Sequence, residues 1–311
     1  MIPCLIVRTS LVALVLPVVA LAQAPATPPD PLVRENATVK VAAHTYVIPD
    51  NNVGLVPNVG LIIGTRAALV IDPGLGRRNG EAVLRELRKL TPTNEIYVAA
   101  THFHAEHSTG AAAFPAAKYV ATRIQDEEFA QSGAQQIQTF SGRSPMTAEL
   151  LRGATAPRVD VPFDREHALD LGGVRVRFVV VGPTHTRGDT MMFVEGDQVL
   201  FAGDVIMNRS FLAANAASSM KAWLAAFDTA QAMVPTVIVP SHGPVGDGSL
   251  VAQNRETMLS IQARVRALKA QGQAVDAVVA TVQQEEQARH QGWPRANGIA
   301  AAARAAFTEA P

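Results

Sequence analysis

The sequence has one cysteine, Cys4, in 311 residues, and no excess of charge of either sign, with 27 Lys and Arg against 27 Asp and Glu. An intramolecular disulfide needs two cysteines, so the fold must depend on its core and on any bound metal. Nucleic-acid-binding domains usually carry a basic excess or a basic face, so the balanced charge argues against a nucleic-acid partner. The composition, 48% hydrophobic and 17% charged, is ordinary for a globular protein with a substantial core.

The apolar stretch at residues 11–19 is too short for a comfortable membrane span. It follows Arg8 and precedes Ala20-Leu21-Ala22, a small-x-small pattern. The arrangement predicts a secretory signal peptide over residues 1–22, whose cleavage near Ala22 would also remove Cys4. We therefore expect a periplasmic or secreted protein with no stable membrane anchor.

The rest of the chain divides into a short leader and one folded domain. Residues 23–37 are rich in Pro and Ala and predict a flexible leader. Residues 38–311 predict a single domain in which short apolar runs, suited to buried strands, alternate with helical patterns, and whose C-terminal part is helical. Asn79 can cap the first helix. Several predicted strands end directly before a His or an Asp, and ligand sites in α/β sheets gather beyond the carboxyl ends of strands.

Three of the eight histidines fall within six residues, at His102, His104 and His107, directly after an apolar run at residues 96–100. Residues two apart in an extended segment point the same way, so His102 and His104 can converge on one ion. A turn after them would let Glu106 and His107 face a neighbouring ion. Such a cluster is typical of a metal site, because imidazole and carboxylate are the common ligands of zinc and its neighbours.

Further candidate ligands, His185, Asp204 and His242, follow other predicted strands. Five histidines and two carboxylates would overfill one tetrahedral ion but fit two ions, with one carboxylate as a bridge across about 3.5–4 Å. For His185 or His242 alone, a core or surface histidine would be the simpler interpretation. The remaining histidines lack such neighbours and are interpreted as structural or exposed; they are His44, His167 and His290.

The motifs together resemble those of the metallo-β-lactamase-fold superfamily. They are His102-x-His104-x-Glu106-His107, His185 in Gly-Pro-Thr-His-Thr-x-Gly-Asp, Asp204 in Phe-Ala-Gly-Asp, His242 in Ser-His-Gly, and Asp72 in Val-Ile-Asp-Pro-Gly. The resemblance implies an α/β fold, an αββα sandwich of two mixed β-sheets flanked by helices, with the site along one edge.

The resemblance also implies a role for each motif residue. The first metal would be held by His102, His104 and His185, and the second by Glu106, His107 and His242. Asp204 would bridge the ions, and Asp72 would orient a ligand from behind. The cofactor would be two Zn²⁺, with Fe or Mn as alternatives. Glu106 and Asp204 would be the catalytic carboxylates, with Glu106 orienting the nucleophile and passing its proton on.

Two departures affect the functional prediction. Glu106 stands where the family usually has Asp, and Asp204 stands where the best-known zinc β-lactamases have Cys or Ser. We predict an exported dinuclear-zinc hydrolase that uses a metal-bound hydroxide on a small amide, ester or lactone, with a β-lactam as the leading named substrate. One alternative is a glyoxalase II-like thioesterase or phosphoesterase, which Asp204 favours. The other is a non-hydrolytic metal-binding or redox protein of the same fold.

The sequence gives its least specific prediction for the residues that contact the substrate. Arg209, five residues after Asp204, and its neighbour Asn208 can meet a substrate carboxylate, although a solvated loop explains them equally well. Three aromatic residues can line an apolar wall, with core packing as the alternative; they are Phe103, Phe114 and Phe211. Residues 125–155 predict helix and a partial lid. The expected partner is a small-molecule substrate, and the oligomeric state is left open.

Overall fold

The computed structural model describes residues 28–310. The predicted signal peptide and the first part of the predicted leader lie outside these residues. No helix among the described residues is both long enough and apolar enough to cross a bilayer.

The described chain forms twelve strands and eight α-helices, with a short 3-10 turn at Thr109–Ala113. The strands are β1 (Val39–Lys40), β2 (Thr45–Ile48), β3 (Val59–Ile63), β4 (Ala68–Ile71), β5 (Ile96–Ala99), β6 (Lys118–Thr122), β7 (Val161–Phe163), β8 (Glu166–Asp170), β9 (Arg175–Val180), β10 (Thr190–Val194), β11 (Val199–Gly203) and β12 (Val237–Pro240). The helices are α1 (Gly76–Leu90), α2 (Ala105–Ser108), α3 (Arg123–Ser141), α4 (Pro145–Leu150), α5 (Met220–Ala232), α6 (Ser249–Ala270), α7 (Val275–Arg289) and α8 (Ala296–Glu309).

The strands form two mixed sheets. The first has the order β1-β2-β3-β4-β5-β6-β7. Its pairs are antiparallel up to β4 and parallel from β4 to β7. The second has the order β12-β11-β10-β9-β8, and only the β11–β12 pair is parallel. The parallel pairs matter for the site because their carboxyl ends lie on one edge of each sheet.

Alternation along the buried strands separates the layers. In β4, Leu69 and Ile71 belong to the core between the sheets, whereas Ala68 and Val70 belong to the core under α1. Successive side chains of a strand point to opposite faces, so a strand that is apolar at every position is covered on both faces.

The second sheet is covered in the same way by the C-terminal helices. Met191 and Phe193 of β10 pack in one cluster with Trp223 and Phe227 of α5 and Met258 of α6. The layer order is therefore helix, sheet, sheet, helix, which confirms the αββα sandwich expected from the sequence.

Asn79 does not cap the first helix. The helix begins at Gly76, and Asn79 lies buried inside it, donating from Nδ2 to the carbonyls of Pro31 (2.8 Å) and Leu75 (2.9 Å). Its Oδ1 accepts the backbone N–H of Val33 at 2.8 Å. The asparagine thus joins α1 to the segment that precedes the domain.

The described part of the predicted leader packs against α1. Val33 is buried, and the backbone N–H of Asn36 donates to Oε1 of Glu86 on α1 at 2.9 Å. Composition alone suggested flexibility, but two buried polar side chains of α1, Asn79 and Glu86, satisfy backbone donors of the leader and so hold it against the helix.

Candidate metal centre

All seven predicted ligands meet at one edge of the sandwich, on loops that directly follow strands. The segment 101–107 follows β5, Asp204 follows β11 and His242 follows β12, while His185 lies on the loop between β9 and β10. Three groups bring their ligand atoms within 4.8 Å of one another: His102, His104 and His185; His102, His107 and Asp204; and Glu106, His107 and His242.

The first group has the spacing of a metal site. Nδ1 of His104 lies 3.1 Å from Nε2 of His102 and 3.1 Å from Nε2 of His185. One proton on Nδ1 can satisfy only one of these contacts, and Nδ1 of His185 faces the Ala213 carbonyl at 2.6 Å, which leaves Nε2 with a lone pair. Ligand nitrogens around a tetrahedral zinc with bonds of about 2.0–2.1 Å lie roughly 3.3 Å apart, so the three nitrogens suit one ion.

The rings of the second group are fixed by hydrogen bonds at their far nitrogens. Nδ1 of His107 donates to Oδ2 of Asp72 at 3.0 Å, and Nδ1 of His242 donates to the Val56 carbonyl at 2.9 Å. Each ring therefore turns Nε2 toward the centre, the orientation found in metal-ligating histidines. Oε1 of Glu106 lies 3.8 Å from Nε2 of His107.

Three candidate ligand atoms are buried without any hydrogen-bond partner among the described residues: Oε2 of Glu106, Nε2 of His107 and Oδ1 of Asp204. Buried polar atoms are almost always paired, because leaving one unpaired costs free energy. Bound cations would satisfy all three at once. The residues present therefore fit divalent metal ions.

The Asp204 carboxylate lies between the two groups. Oδ2 is 3.7 Å from Nε2 of His185, and Oδ1 is 3.9 Å from Nε2 of His242. Oδ2 also accepts a hydrogen bond of 2.8 Å from Nη1 of Arg295. Burial alone would raise the pKa of Asp204, but the Arg295 guanidinium, the largest opposing influence, holds it well below its usual value. The carboxylate is therefore ionised, as a bridging ligand must be.

Burial sets the charge of most of the histidines. It lowers the pKa of His102 and His104 well below the usual value, and that of His242 to about 3, so these rings are neutral and can bind metal. His107 differs. Burial lowers its pKa, but the Asp72 carboxylate, with Glu106 and Asp204, outweighs this and raises the pKa to about 9. A metal ion at Nε2 of His107 would have to displace that proton.

Asp72 lies directly behind the ligands, as the predicted orienting role requires. Its carboxylate accepts hydrogen bonds from the Thr101 backbone N–H (2.7 Å), the Thr101 hydroxyl (2.9 Å), the Ser241 hydroxyl (3.0 Å) and Nδ1 of His107. Its φ of 53° is in the left-handed region, which short polar side chains tolerate better than most. One buried carboxylate thus joins the loops after β4, β5 and β12.

Two acidic residues that sequence reasoning missed hold the loop of His185. Asp189 accepts the backbone N–H groups of His185 (2.6 Å) and Thr186 (2.8 Å). Glu128 of α3 accepts those of Arg187 (3.0 Å) and Gly188 (3.1 Å). Asp189 belongs to the His185 motif, so its motif position was a signal. Glu128 is 59 residues before Arg187, and no local pattern marks it.

A cavity of about 690 Å³ opens onto the centre. Helix α3 forms one wall, so the predicted helical region at 125–155 does border the site. Phe103 lines this cavity, as do Phe140 and three arginines, which are Arg143, Arg187 and Arg295. Arg295 was not among the predicted site residues, because it lies 91 residues after Asp204.

The predicted substrate contacts Asn208 and Arg209 lie elsewhere. They line a neighbouring cavity of about 420 Å³, and Nδ2 of Asn208 donates to the Pro244 carbonyl at 3.0 Å. Arg295 lines the larger cavity, and Arg209 does not. Arg209 has a φ of 53° and shares the smaller cavity with His242.

Two of the predicted aromatic residues and the three remaining histidines do not contribute to the metal centre. Phe114 and Phe211 are buried in the cores of the two outer layers, which agrees with the core alternative for both. The three remaining histidines lie outside the centre, as expected: the His44 side chain is 48% exposed, while His167 stacks on Phe163 and His290 on Trp293.

Residues 53–242, more than half of the chain, match a family described as the metallo-beta-lactamase superfamily. The matched region contains every predicted metal ligand and ends at His242. No curated protein matches the chain.

Solved structures with the same fold are similar to the chain at low sequence identity. A metallo-beta-lactamase from Pontibacter korlensis has a TM-score of 0.57 at 19% identity, over 70% of this chain and 96% of that one. A metallo-beta-lactamase family protein from Thermus thermophilus has a TM-score of 0.58 at 20% identity, over 85% and 91%. The stereoselective inverting sec-alkylsulfatase Pisa1 from Pseudomonas sp. has a TM-score of 0.63 at 17% identity, over 88% of this chain and 50% of that one. At these identities the likenesses establish the fold.

Proposed function

Because the chain belongs to the metallo-beta-lactamase superfamily, we propose that it is an exported hydrolase that binds two divalent cations, zinc foremost, and cleaves a small amide, ester or lactone. A β-lactam is the leading named substrate. The observation that carries the proposal is the convergence of the three ligand groups around buried, unpartnered atoms of Glu106, His107 and Asp204 among the described residues. Export rests on the sequence pattern of residues 1–22.

The seven ligands divide between two cations in the proposed mechanism. One cation would be held by His102, His104 and His185, the other by Glu106, His107 and His242, and both by Asp204. When bound, two divalent cations supply a polarised water as the nucleophile and positive charge that stabilises the transition state.

The chain's own residues orient and protect this chemistry. Asp72 holds the His107 ring through Nδ1, and the Ala213 and Val56 carbonyls hold His185 and His242 in the same way. Oε2 of Glu106 has no partner among the described residues and can accept a proton from the attacking water. The ligands are largely buried, so bulk water is kept from them except through the cavity.

A second candidate function is hydrolysis of a sulfate, phosphate or thioester. Three arginines line the cavity, and this favours a substrate that carries negative charge. A sec-alkylsulfatase is also among the structures that share the fold. Both candidates use the same ligands and differ in the bond that is cleaved.

The full chain expressed in a bacterial host tests the proposal. We expect the mature protein to begin near residue 23, to contain two metal ions by elemental analysis, and to hydrolyse at least one compound of a panel. The panel contains a chromogenic cephalosporin, a homoserine lactone and the p-nitrophenyl esters of acetate, sulfate and phosphate. A chelator should abolish the activity and added zinc should restore it. A zinc-loaded protein inactive on the whole panel, or an activity that survives metal removal, would contradict the proposal.

Glu106 stands where the family motif usually has Asp, and the effect of its longer side chain can be tested. In Glu106→Asp the carboxylate is one methylene shorter and withdraws from the centre, whereas Glu106→Gln keeps the length and loses the charge. We expect Glu106→Asp to retain both metal ions and to change kcat/KM by no more than about tenfold, but unequally across the panel. Glu106→Gln should lose more activity on every substrate. Identical kinetics of Glu106→Asp and the unmodified protein across the panel would show that the side-chain length does not matter.

A further inference from the structure

The loop between α7 and α8 carries Arg295 into the metal centre from a part of the chain that lies beyond the family match. The Pro294 carbonyl accepts the backbone N–H of Phe211 at 3.2 Å, and the Trp293 ring stacks on His290 and packs against Phe211. Arg295 itself has a φ of 67°, a left-handed conformation that a residue with a side chain rarely adopts. Non-glycine residues held in this way cluster at functional sites.

The Arg295 guanidinium uses little of its hydrogen-bonding capacity. A guanidinium has five N–H donors in a planar fork. Among the described residues, the side chain makes one hydrogen bond, from Nη1 to Oδ2 of Asp204. The side chain is 29% exposed and lines both the cavity over the metal centre and the neighbouring one. Most of its donors are therefore open to a molecule in these cavities.

The other charged residues of the cavity wall leave Arg295 as the strongest anion site. Arg187 has Glu127 and Glu128 within 3.9 Å. Arg143 lies over the Phe140 ring, 3.9 Å from its centroid, and is exposed. The only carboxylate within 4 Å of the Arg295 guanidinium among the described residues is Asp204, which a bound cation would share. Metal binding would thus leave the guanidinium less neutralised than it is without metal.

We propose that Arg295 is the specificity-determining residue of this site and binds an anionic group of the substrate, a carboxylate or a sulfate-like oxyanion, beside the metal ligands. The inference rests on the proposed function. A planar fork pairs with such groups through two parallel hydrogen bonds. A neutral substrate would leave the guanidinium donors that do not contact Asp204 without a partner, so the site discriminates against it.

Equilibrium binding separates this role from turnover. Three probes of similar size differ in one group: phenylacetate, phenylmethanesulfonate and the neutral phenylacetamide. Their dissociation constants are measured by calorimetry on the zinc-loaded full-length protein and on Arg295→Met and Arg295→Lys. We expect Arg295→Met to weaken at least one anionic probe about ten- to hundredfold and to leave phenylacetamide unchanged. Arg295→Lys should recover part of the loss, because it keeps the charge without the fork. The two anions report whether a carboxylate or a tetrahedral oxyanion is preferred.

Arg152→Met is the control, since Arg152 is an exposed arginine that lines neither cavity. It should change the three constants by less than twofold. Metal content, measured in parallel, shows whether each variant still carries its ions. Anion binding within twofold of the unmodified protein in Arg295→Met, an equal loss for anionic and neutral probes, or no measurable anion binding by the unmodified protein would each overturn the proposal. These measurements do not depend on hydrolysis, so failure of the proposed function would show separately in the substrate panel.

Discussion

Replacing Asp204 with asparagine is expected to remove at least one metal ion per chain and to lower kcat/KM about a thousandfold, roughly 4 kcal/mol of transition-state stabilisation. Asparagine keeps the shape of the side chain but removes its charge. Among the described residues, Asp204 is the one acidic group within 4 Å of ligand nitrogens from both histidine groups, His185 and His242. Without its charge, two cations would repel each other with less compensation, and the second would bind weakly.

The measurements are elemental analysis and steady-state kinetics on zinc-loaded protein. Thermal unfolding of the metal-free variant should also occur at lower temperature, because Arg295 loses its counter-charge. Asp164→Asn is the matched control, since that side chain is 80% exposed and should be neutral in every assay. Two retained metal ions with unchanged kcat/KM in Asp204→Asn would show that Asp204 does not bridge.

Replacing Asp72 with asparagine should have the second-largest effect, although Asp72 need not touch a metal ion. Its carboxylate accepts four hydrogen bonds, and each of its two oxygens faces at least one N–H donor. Either orientation of the asparagine therefore places its NH₂ group against an N–H, that of the Thr101 backbone or that of the His107 ring. A buried donor left without an acceptor costs about 1–3 kcal/mol of folding stability. His107 would either lose its acceptor or keep a neutral amide oxygen in place of a carboxylate, so its ring would be fixed less firmly with Nε2 toward the centre, and metal affinity should fall about 10- to 100-fold.

Two titrations check this prediction: chemical unfolding of the metal-free protein and a zinc titration against a competing chelator. Ser241→Ala removes only one of the four donors and leaves the carboxylate in place, so its effects should be much smaller than those of Asp72→Asn. Equal effects of the two variants, or unchanged zinc affinity in Asp72→Asn, would argue that Asp72 does not orient His107.

The sequence was most informative where the pattern is local. The spacing of His102, His104, Glu106 and His107 predicted a metal site, and the structure brings all four together. The αββα sandwich was also predicted, because the motifs and their order resemble those of the metallo-β-lactamase-fold superfamily. The ligands directly follow strands because the first polar residues after a buried strand lie at the edge of the sheet.

Contacts between distant segments required the structure. Arg295 reaches Asp204 only because α6, α7 and α8 pack on the second sheet and turn the loop before α8 back to the site. The leader is held by Asn79 and Glu86, and Arg209 lines a cavity beside the one that opens onto the metal centre. The ligand spacing and the strand pattern depend only on residues that are close together in the sequence, so they can be predicted from the sequence alone. The position of an arginine 91 residues from its partner depends on how whole helices pack, and packing is a property of the three-dimensional core that no short segment encodes.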